Sequence, residues 1–183
     1  MTQPSRIPHD WLQPQWPAPA GVRALCTTRA GGVSTGPCAS LNLGSHVGDD
    51  PSAVQANRQR LQAVVQGATP GARAVFLNQV HGTAVATINP ATPDGTEADA
   101  CVATQPGAVC TIMVADCLPV LLAHGSGAVV GAAHAGWRGL AGKGGVGVLE
   151  AVFGRFNTLP RSDKPLAAIK NEAKGRPGDR HGH

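Results

Sequence analysis

Aromatic residues are scarce in this chain, and tyrosine is absent altogether. Phe, Trp and Tyr together make up 3% of its 183 residues. Proteins that bind single-stranded nucleic acid stack the bases on aromatic side chains, so this composition argues against that class. The hydrophobic content of 42% is still enough for a substantial core, which must be built mainly from Val, Ala and Leu. The length fits one globular domain.

The chain also lacks a concentrated run of positive charge before residue 161, although its formal net charge is +4. Residues 161–183 hold six Lys or Arg and three Asp or Glu, so only +1 is left for the first 160 residues. A nucleic-acid-binding domain presents a basic patch or stripe, and we therefore expect no nucleic-acid partner. The Lys-rich composition of residues 161–183, without apolar periodicity, predicts a basic, disordered tail after a domain formed by residues 1–160.

No segment is apolar over the roughly 18 residues that a membrane span requires, and the first ten residues lack the apolar core of a signal peptide. The five cysteines are an odd, scattered set without a Cys-x-x-Cys pair. Reduced thiols are expected, because secreted disulfide frameworks use paired cysteines. The sequence therefore predicts a cytoplasmic protein with no membrane partner.

Apolar periodicity predicts the order of the secondary-structure elements. Strand character is found in four segments: 22–28, 74–77, 83–88 and 128–133. Helical patterns begin at Asp50 or Ser52 and run to Val65, and again cover 146–156. A long apolar run over 108–123 is interrupted by Asp116 and Cys117. If this run pairs with the strand that ends at His134, Cys117 and His134 will lie side by side.

Three apolar segments each end in a side chain that can bind a metal: His81, Cys117 and His134. Imidazole and thiolate suit zinc or copper, and catalytic zinc is usually held by three protein ligands with the fourth position open. The three residues are too far apart in sequence for a zinc finger, but catalytic sites allow such spacing. Both histidines precede a small residue, Gly82 or Ala135, which leaves room at the imidazole.

Each of these residues also has a plainer interpretation. Free cysteine is usually a small buried hydrophobe, and histidine is more often hydrogen-bonded for structural reasons. Asp116 weakens the plain interpretation of Cys117, because a carboxylate in an apolar strand needs a cation, a metal or a partner such as Arg138. A further alternative makes Cys117 the nucleophile of a cysteine hydrolase, activated by His81 or His134 without a metal.

Arg29 and Arg138 lie in glycine-rich surroundings where planar guanidinium groups can hold phosphate. The alternative for either arginine is a salt bridge to Asp49, Asp50 or Asp116. A formal Gly-x-Gly-x-x-Gly also occurs over 142–147, but the preceding strand and following acidic residue of a dinucleotide site are missing. We therefore expect no nicotinamide or flavin cofactor.

Six motifs follow one another in order along the chain. They are Thr-Thr-Arg-Ala-Gly-Gly-Val-Ser (27–34), Leu-Asn-Leu-Gly (41–44), Val-Gly-Asp-Asp (47–50), Gln-Val-His-Gly (79–82), Ala-Asp-Cys-Leu-Pro-Val (115–120) and His-Ala-Gly-Trp-Arg-Gly (134–139). With these motifs the chain resembles the multicopper polyphenol oxidoreductase (laccase-domain) family, whose members are also described as purine nucleoside phosphorylases. The resemblance runs in register from about residue 21 to residue 139.

The resemblance implies an α+β fold, a four-layer α/β/β/α sandwich with mixed sheets. It also implies zinc held by His81, Cys117 and His134, whereas the older laccase label implies copper. The implied activities are phosphorolysis of adenosine, inosine, guanosine and methylthioadenosine, and deamination of adenosine. Purine nucleoside and phosphate are then the expected partners.

Within this implied site, we assign the remaining polar residues of the motifs. Asp116 is expected to orient a ligand imidazole or to act as acid and base. Arg29 and Arg138 are the candidates for holding phosphate during phosphorolysis, and Asn42 and Gln79 are the further candidates for contact with substrate. Zinc would activate water for the deamination.

The chain departs from the family pattern after Phe156. The Gly-Pro-x-Ile motif and the Cys-Glu-Val-Gly-like stretch that the family implies near the pocket are not found there, and the Lys-rich tail takes their place. The resemblance therefore predicts that residues 1–160 form an incomplete domain without the C-terminal part of the family fold. An inactive, truncated family member is the corresponding alternative.

Overall fold

The computed structural model describes residues 7–159, so the predicted tail over 161–183 lies outside the described residues. The described residues form six strands, three α-helices and a short 3-10 helix over Gly36–Cys38. In chain order the strands and α-helices are α1 (Pro51–Ala68), β1 (Arg73–Phe76), β2 (Val85–Ile88), β3 (Ala100–Ala103), β4 (Ala108–Thr111), β5 (Leu118–Ala123), β6 (Val130–Ala135), α2 (Trp137–Ala141) and α3 (Val148–Thr158). None of the helices described is both long and apolar enough to cross a bilayer.

Helix α1 forms where the sequence predicts it, because its first turn is capped. The Asp50 carboxylate accepts a hydrogen bond from the Ser52 backbone N–H at 2.9 Å, and Pro51 occupies a position where no N–H is needed. The helix buries a stripe of mainly apolar residues on one face: Val54, Asn57, Leu61, Val64 and Val65. The helical period thus turns one face of α1 to the core.

The strands form two sheets that lie between helices. The larger is mixed and has the order β2-β3-β6-β5, with β2 and β3 parallel and the other pairs antiparallel. The smaller is the parallel pair β1-β4. Helix α1 packs on β1, and α3 packs on the larger sheet. The layers are therefore α1, the small sheet, the large sheet and α3, which confirms the predicted four-layer α/β/β/α arrangement with mixed sheets.

Strand alternation explains how β1 and β3 are buried on two faces. In β1, Ala74 and Phe76 belong to the cluster that includes α1, whereas Val75 belongs to the cluster between the sheets. In β3, Cys101 lies between the sheets, whereas Val102 packs with residues of α3. Such strands are apolar on both sides, and their side chains join the layers into one structure.

Prediction and structure differ at three elements. The strand predicted over 22–28 is reduced to one isolated bridge between Cys26 and Leu12, and the prolines that follow Leu12 offer no N–H to extend it. Strand β3 was not predicted, because a four-residue segment buried on both faces shows no alternation. The short helix α2 was also missed, because Gly136 just before it and Gly139 within it are typical of a loop.

Candidate metal centre

The candidate metal ligands come from three different parts of the fold. His81 lies in the turn between β1 and β2, Cys117 directly precedes β5, and His134 lies near the end of β6. In the antiparallel pairing of β5 with β6, Pro119 is opposite His134 and Leu118 is opposite Ala135. This register places Cys117 beside the end of β6, in agreement with the prediction from strand pairing.

The side chains of His81, Cys117 and His134 converge. One ligand atom from each residue lies within 4.8 Å of the other two. The Cys117 Sγ is 3.8 Å from the His81 Nε2, and the two imidazole centroids are 4.6 Å apart with an interplanar angle of 67°. His134 is buried with 4% exposure, Cys117 is half-buried and His81 is exposed. His134 therefore lies at the buried end of the cluster, and His81 lies at the end exposed to solvent.

Asp99 forms hydrogen bonds to both His81 and His134. This residue was not identified from the sequence. Its carboxylate is fully buried and accepts hydrogen bonds from the backbone N–H groups of Val80 (3.1 Å), His81 (2.8 Å) and Gly82 (2.7 Å). The same carboxylate is 2.9 Å from the His134 Nδ1. The signal that would have revealed it is a lone carboxylate next to the apolar segment 100–103, because such a group needs partners when buried.

The backbone passes so close to the cluster that two positions, Gly136 and Gly139, leave little or no room for a side chain. A Cβ atom added to Gly136 would lie 2.9 Å from the Cys117 Sγ and 2.9 Å from the His81 Cδ2. A Cβ on Gly139 would lie 3.0 Å from the Gly82 carbonyl oxygen, so α2 approaches the turn of His81 closely. His81 itself has a φ of 61°, which is rare for a residue with a side chain. The ligand positions therefore depend on a specific backbone.

Asp116 does not lie in a buried strand, contrary to the expectation from the sequence. The apolar run over 108–123 is divided into β4 and β5, and Asp116 lies on the exposed connection between them. Its carboxylate oxygen is 3.6 Å from the Cys117 thiol, which donates to it. The pKa of the Cys117 thiol is raised above its ordinary value, first by loss of solvation and then by the negative charges of Asp116 and Asp99. A nearby cation would act in the opposite direction.

The two arginines do not form the salt bridges that were the alternative to phosphate binding. Arg29 donates through Nε and Nη2 to the Ala39 carbonyl oxygen, at 2.8 and 2.5 Å. Arg138 is exposed, with its guanidinium carbon 5.2 Å from the ring centroid of Trp137. Within residues 7–159, neither arginine forms an ion pair with an acidic side chain. Arg138 directly follows Trp137 at the start of α2, two residues beyond Gly136, whereas Arg29 braces its own loop.

Asn42 and Gln79 use their amide groups within the chain. The Gln79 side chain donates to the Met113 carbonyl oxygen and accepts from the Met113 N–H, both at 2.8 Å, and is 8% exposed. The Asn42 amide donates to the Gly44 carbonyl oxygen at 3.0 Å and to the Asp49 carboxylate at 2.9 Å. Hydrogen bonds from Ser34 and Asn42 lower the pKa of Asp49. Both amides thus hold loops in place.

The sequence is similar to curated bacterial proteins. It is 54% identical over 141 residues to a protein of Pseudomonas aeruginosa named purine nucleoside phosphorylase, and the match covers 77% of this chain and 54% of that protein. It is 48% identical over 151 residues to the purine nucleoside phosphorylase YfiH of Escherichia coli, covering 82% of this chain and 59% of that protein. The chain therefore spans between about half and three fifths of the length of these relatives.

Solved structures show the same fold. A crystal structure of a Neisseria meningitidis protein superposes with a TM-score of 0.72 at 47% identity, covering 80% of this chain and 57% of that one. YlmD from Geobacillus stearothermophilus superposes with a TM-score of 0.59 at 38% identity, covering 68% and 50%. Residues 23–170 match the family described as multi-copper polyphenol oxidoreductase laccase, so the match continues beyond residue 139, where the motifs end. With more than half of its length matched and a His-Cys-His cluster at the motifs, the chain belongs to the multi-copper polyphenol oxidoreductase laccase family.

Proposed function

We propose that this chain carries the zinc centre of a purine nucleoside phosphorylase. The substrates would be phosphate and adenosine, inosine, guanosine or methylthioadenosine, with deamination of adenosine as a second activity at the same site. The observation that carries the proposal is the convergence of one ligand atom each from His81, Cys117 and His134 within 4.8 Å. The names of the bacterial relatives, purine nucleoside phosphorylase, support the choice of substrate class.

The donor set fits a borderline-soft divalent ion. Two imidazoles and one thiolate suit zinc, and copper is the alternative that the family description suggests. The glycine at position 136 leaves the space between Cys117 and His81 free of side-chain atoms. When bound, zinc supplies Lewis acidity that polarises an oxygen atom of substrate or water.

The exposed start of α2 is our candidate for binding the nucleoside and phosphate. Trp137 is 73% exposed, and its ring offers a flat apolar surface on which a purine base can stack. Arg138 extends beside it with a guanidinium group that can hold phosphate for attack on the anomeric carbon. Asp116, exposed next to Cys117, is the candidate for proton transfer. Arg29 stays a candidate for the phosphate site, but its guanidinium group bonds the Ala39 carbonyl oxygen, so its contribution would be to hold the loop in place.

A metal-independent cysteine hydrolase is the second candidate, because Cys117 Sγ and His81 Nε2 are 3.8 Å apart. Nucleophilic cysteines have a lowered pKa, however, and the pKa of the Cys117 thiol is raised. The convergence of three ligand atoms within 4.8 Å of one another is the geometric reason to favour the metal site. An inactive family member is the third candidate, which the product assay below distinguishes from the other two. A cytoplasmic location, predicted from the unpaired cysteines, remains part of the proposal.

The test is to incubate the purified, zinc-loaded chain with adenosine and phosphate and to identify the products by chromatography. We expect adenine with ribose 1-phosphate, and inosine from deamination. Cys117→Ala should reduce both to background, whereas Cys26→Ala, which removes an exposed thiol outside the cluster, should not. Activity that survives zinc removal but is lost on alkylation of Cys117 would support the hydrolase. A folded, zinc-loaded chain without product would identify it as an inactive family member.

A further inference from the structure

One buried carboxylate connects two of the three ligand-bearing segments. Asp99 lies immediately before β3, between the turn that carries His81 and the end of β6 that carries His134. Besides its side-chain contacts, its backbone carbonyl oxygen accepts the His134 N–H at 2.7 Å. Asp99 therefore contacts His134 through both its main chain and its side chain.

The hydrogen bonds fix which nitrogen of His134 carries the proton. Oδ1 of Asp99 accepts the His81 N–H, and Oδ2 accepts the N–H groups of Val80 and Gly82, so both oxygens serve as acceptors. The His134 Nδ1, 2.9 Å from Oδ1, must then be the donor. With the proton on Nδ1, the lone pair of Nε2 is free on the far side of the ring.

The same carboxylate fixes the backbone of the His81 turn. Three consecutive N–H groups point at it, which is the arrangement of an anion-binding backbone nest. His81 has a φ of 61° in this turn, a conformation that costs energy unless the surroundings hold it. Without an acceptor at this point, the three part-buried N–H groups would lose their shared partner, and the positive φ of His81 would lose the contacts that hold it.

We propose that Asp99 is the positioning residue of the metal centre, setting the tautomer of His134 and the turn of His81 before an ion binds. The inference rests on the proposed metal site and extends it to a residue outside the proposed set of ligands. Cys117 makes no hydrogen bond to Asp99 among the contacts described, so its placement comes from the β5–β6 register. In this proposal Asp99 positions His81 and His134, whereas the pairing of β5 with β6 positions Cys117.

The first experiment measures zinc affinity by competition with a chromophoric chelator, and the absorption spectrum of the cobalt-substituted chain. Asp99→Asn should bind zinc about 10- to 100-fold more weakly and change the cobalt spectrum, because its amide cannot accept from all four donors. The matched control is Asn57→Ala, which removes another fully buried, hydrogen-bonded side chain that contacts none of the ligands. It should lower stability but leave the zinc affinity and the cobalt spectrum of the folded chain unchanged.

A double-mutant cycle separates the two roles of Asp99. If the carboxylate acted through His134 alone, Asp99→Asn would cause no further loss of affinity in a His134→Ala background. Because it also holds the His81 turn, we expect a further loss there. Unchanged affinity and cobalt spectrum in the single Asp99→Asn variant would overturn the inference.

A measurement on the unaltered chain keeps the inference testable if Asp99→Asn does not fold. Long-range proton–nitrogen NMR of the histidine rings reports which nitrogen is protonated. We expect His134 in the Nδ1–H form both without and with zinc, and the Nε2–H form in the zinc-free chain would overturn the inference. If the unaltered chain bound no zinc, the proposed metal site would fail, while the NMR result would still decide whether Asp99 sets the tautomer.

Discussion

At the scale of single residues, the centre is defined as much by a missing side chain as by its ligands. Gly136 lies where Cys117 and His81 approach each other, and only a hydrogen atom fits at its Cα. Carbon atoms in favourable contact stand about 3.5–4.0 Å apart, so a Cβ at 2.9 Å from the His81 Cδ2 must displace the ring. The spacing of the ligand atoms therefore depends on this glycine.

Replacing Gly136 with alanine should consequently weaken zinc binding without unfolding the chain. The added methyl group would push the Cys117 sulfur and the His81 ring apart, and we expect a loss of affinity in the range of about 10- to 100-fold that misoriented ligands cause. Competition with a chromophoric chelator measures this loss.

The control for that variant is Gly154→Ala in α3, where an added Cβ would meet no atom within 4 Å. It should leave zinc affinity unchanged and stabilise the helix by about 0.5–1 kcal/mol, because glycine is costly inside a helix. Equal zinc affinities of the two alanine variants would show that Gly136 does not control the ligand spacing.

At the scale of elements, helix α1 organises the glycine-rich loop that carries Arg29. Asn57 is fully buried in this helix and accepts the Val33 N–H at 2.9 Å. Its amide group donates to the Ser34 hydroxyl and to the carbonyl oxygens of Ser40 and Asn42. The loop thus depends on one polar residue within the otherwise apolar face of α1.

We expect Asn57→Ala to lower the free energy of unfolding by about 3 kcal/mol, because it removes the partner of three part-buried backbone groups. Urea denaturation followed by circular dichroism measures the change. Gln55→Ala, on the exposed side of the same helix, is the matched control and should change stability by less than about 0.5 kcal/mol. A similar loss in both variants would contradict a specific role of the Asn57 loop contacts, because alanine has a higher helix propensity than either residue it replaces.

At the scale of the whole molecule, the three ligands belong to segments that only the complete fold brings together. The turn after β1, the start of β5 and the end of β6 meet at one end of the layered sheets. An ion bound by all three therefore binds the folded state in preference to the unfolded chain. Metal binding by these three residues would therefore be linked to global stability.

We expect zinc to raise the free energy of unfolding by about 2.7 kcal/mol when free zinc is 100 times its dissociation constant. Chelation should remove this stabilisation, and thermal unfolding followed by circular dichroism measures it. Cys117→Ala should reduce the zinc-dependent shift strongly, while Cys26→Ala should retain it, since Cys26 is exposed and lies outside the cluster. The same shift in both cysteine variants would contradict coordination by Cys117.

The sequence alone determined which side chains form the candidate site and much of the local structure. Helix α1 could be predicted from its N-terminal cap and from the helical spacing of its apolar residues. His81, Cys117 and His134 could be identified as candidate ligands because each ends an apolar segment. Such signals are local, since they depend on residue type and on spacing within a few turns or one strand.

Only the tertiary structure decided how these residues act together. It moved Asp116 to an exposed connection, committed the Gln79 amide to Met113, and placed Asp99 between two ligands that are distant in sequence. Strand β3 gave no periodic signal because both of its faces are buried. The partners of a buried polar group are set by strand pairing and layer packing, which bring together segments that no local pattern relates.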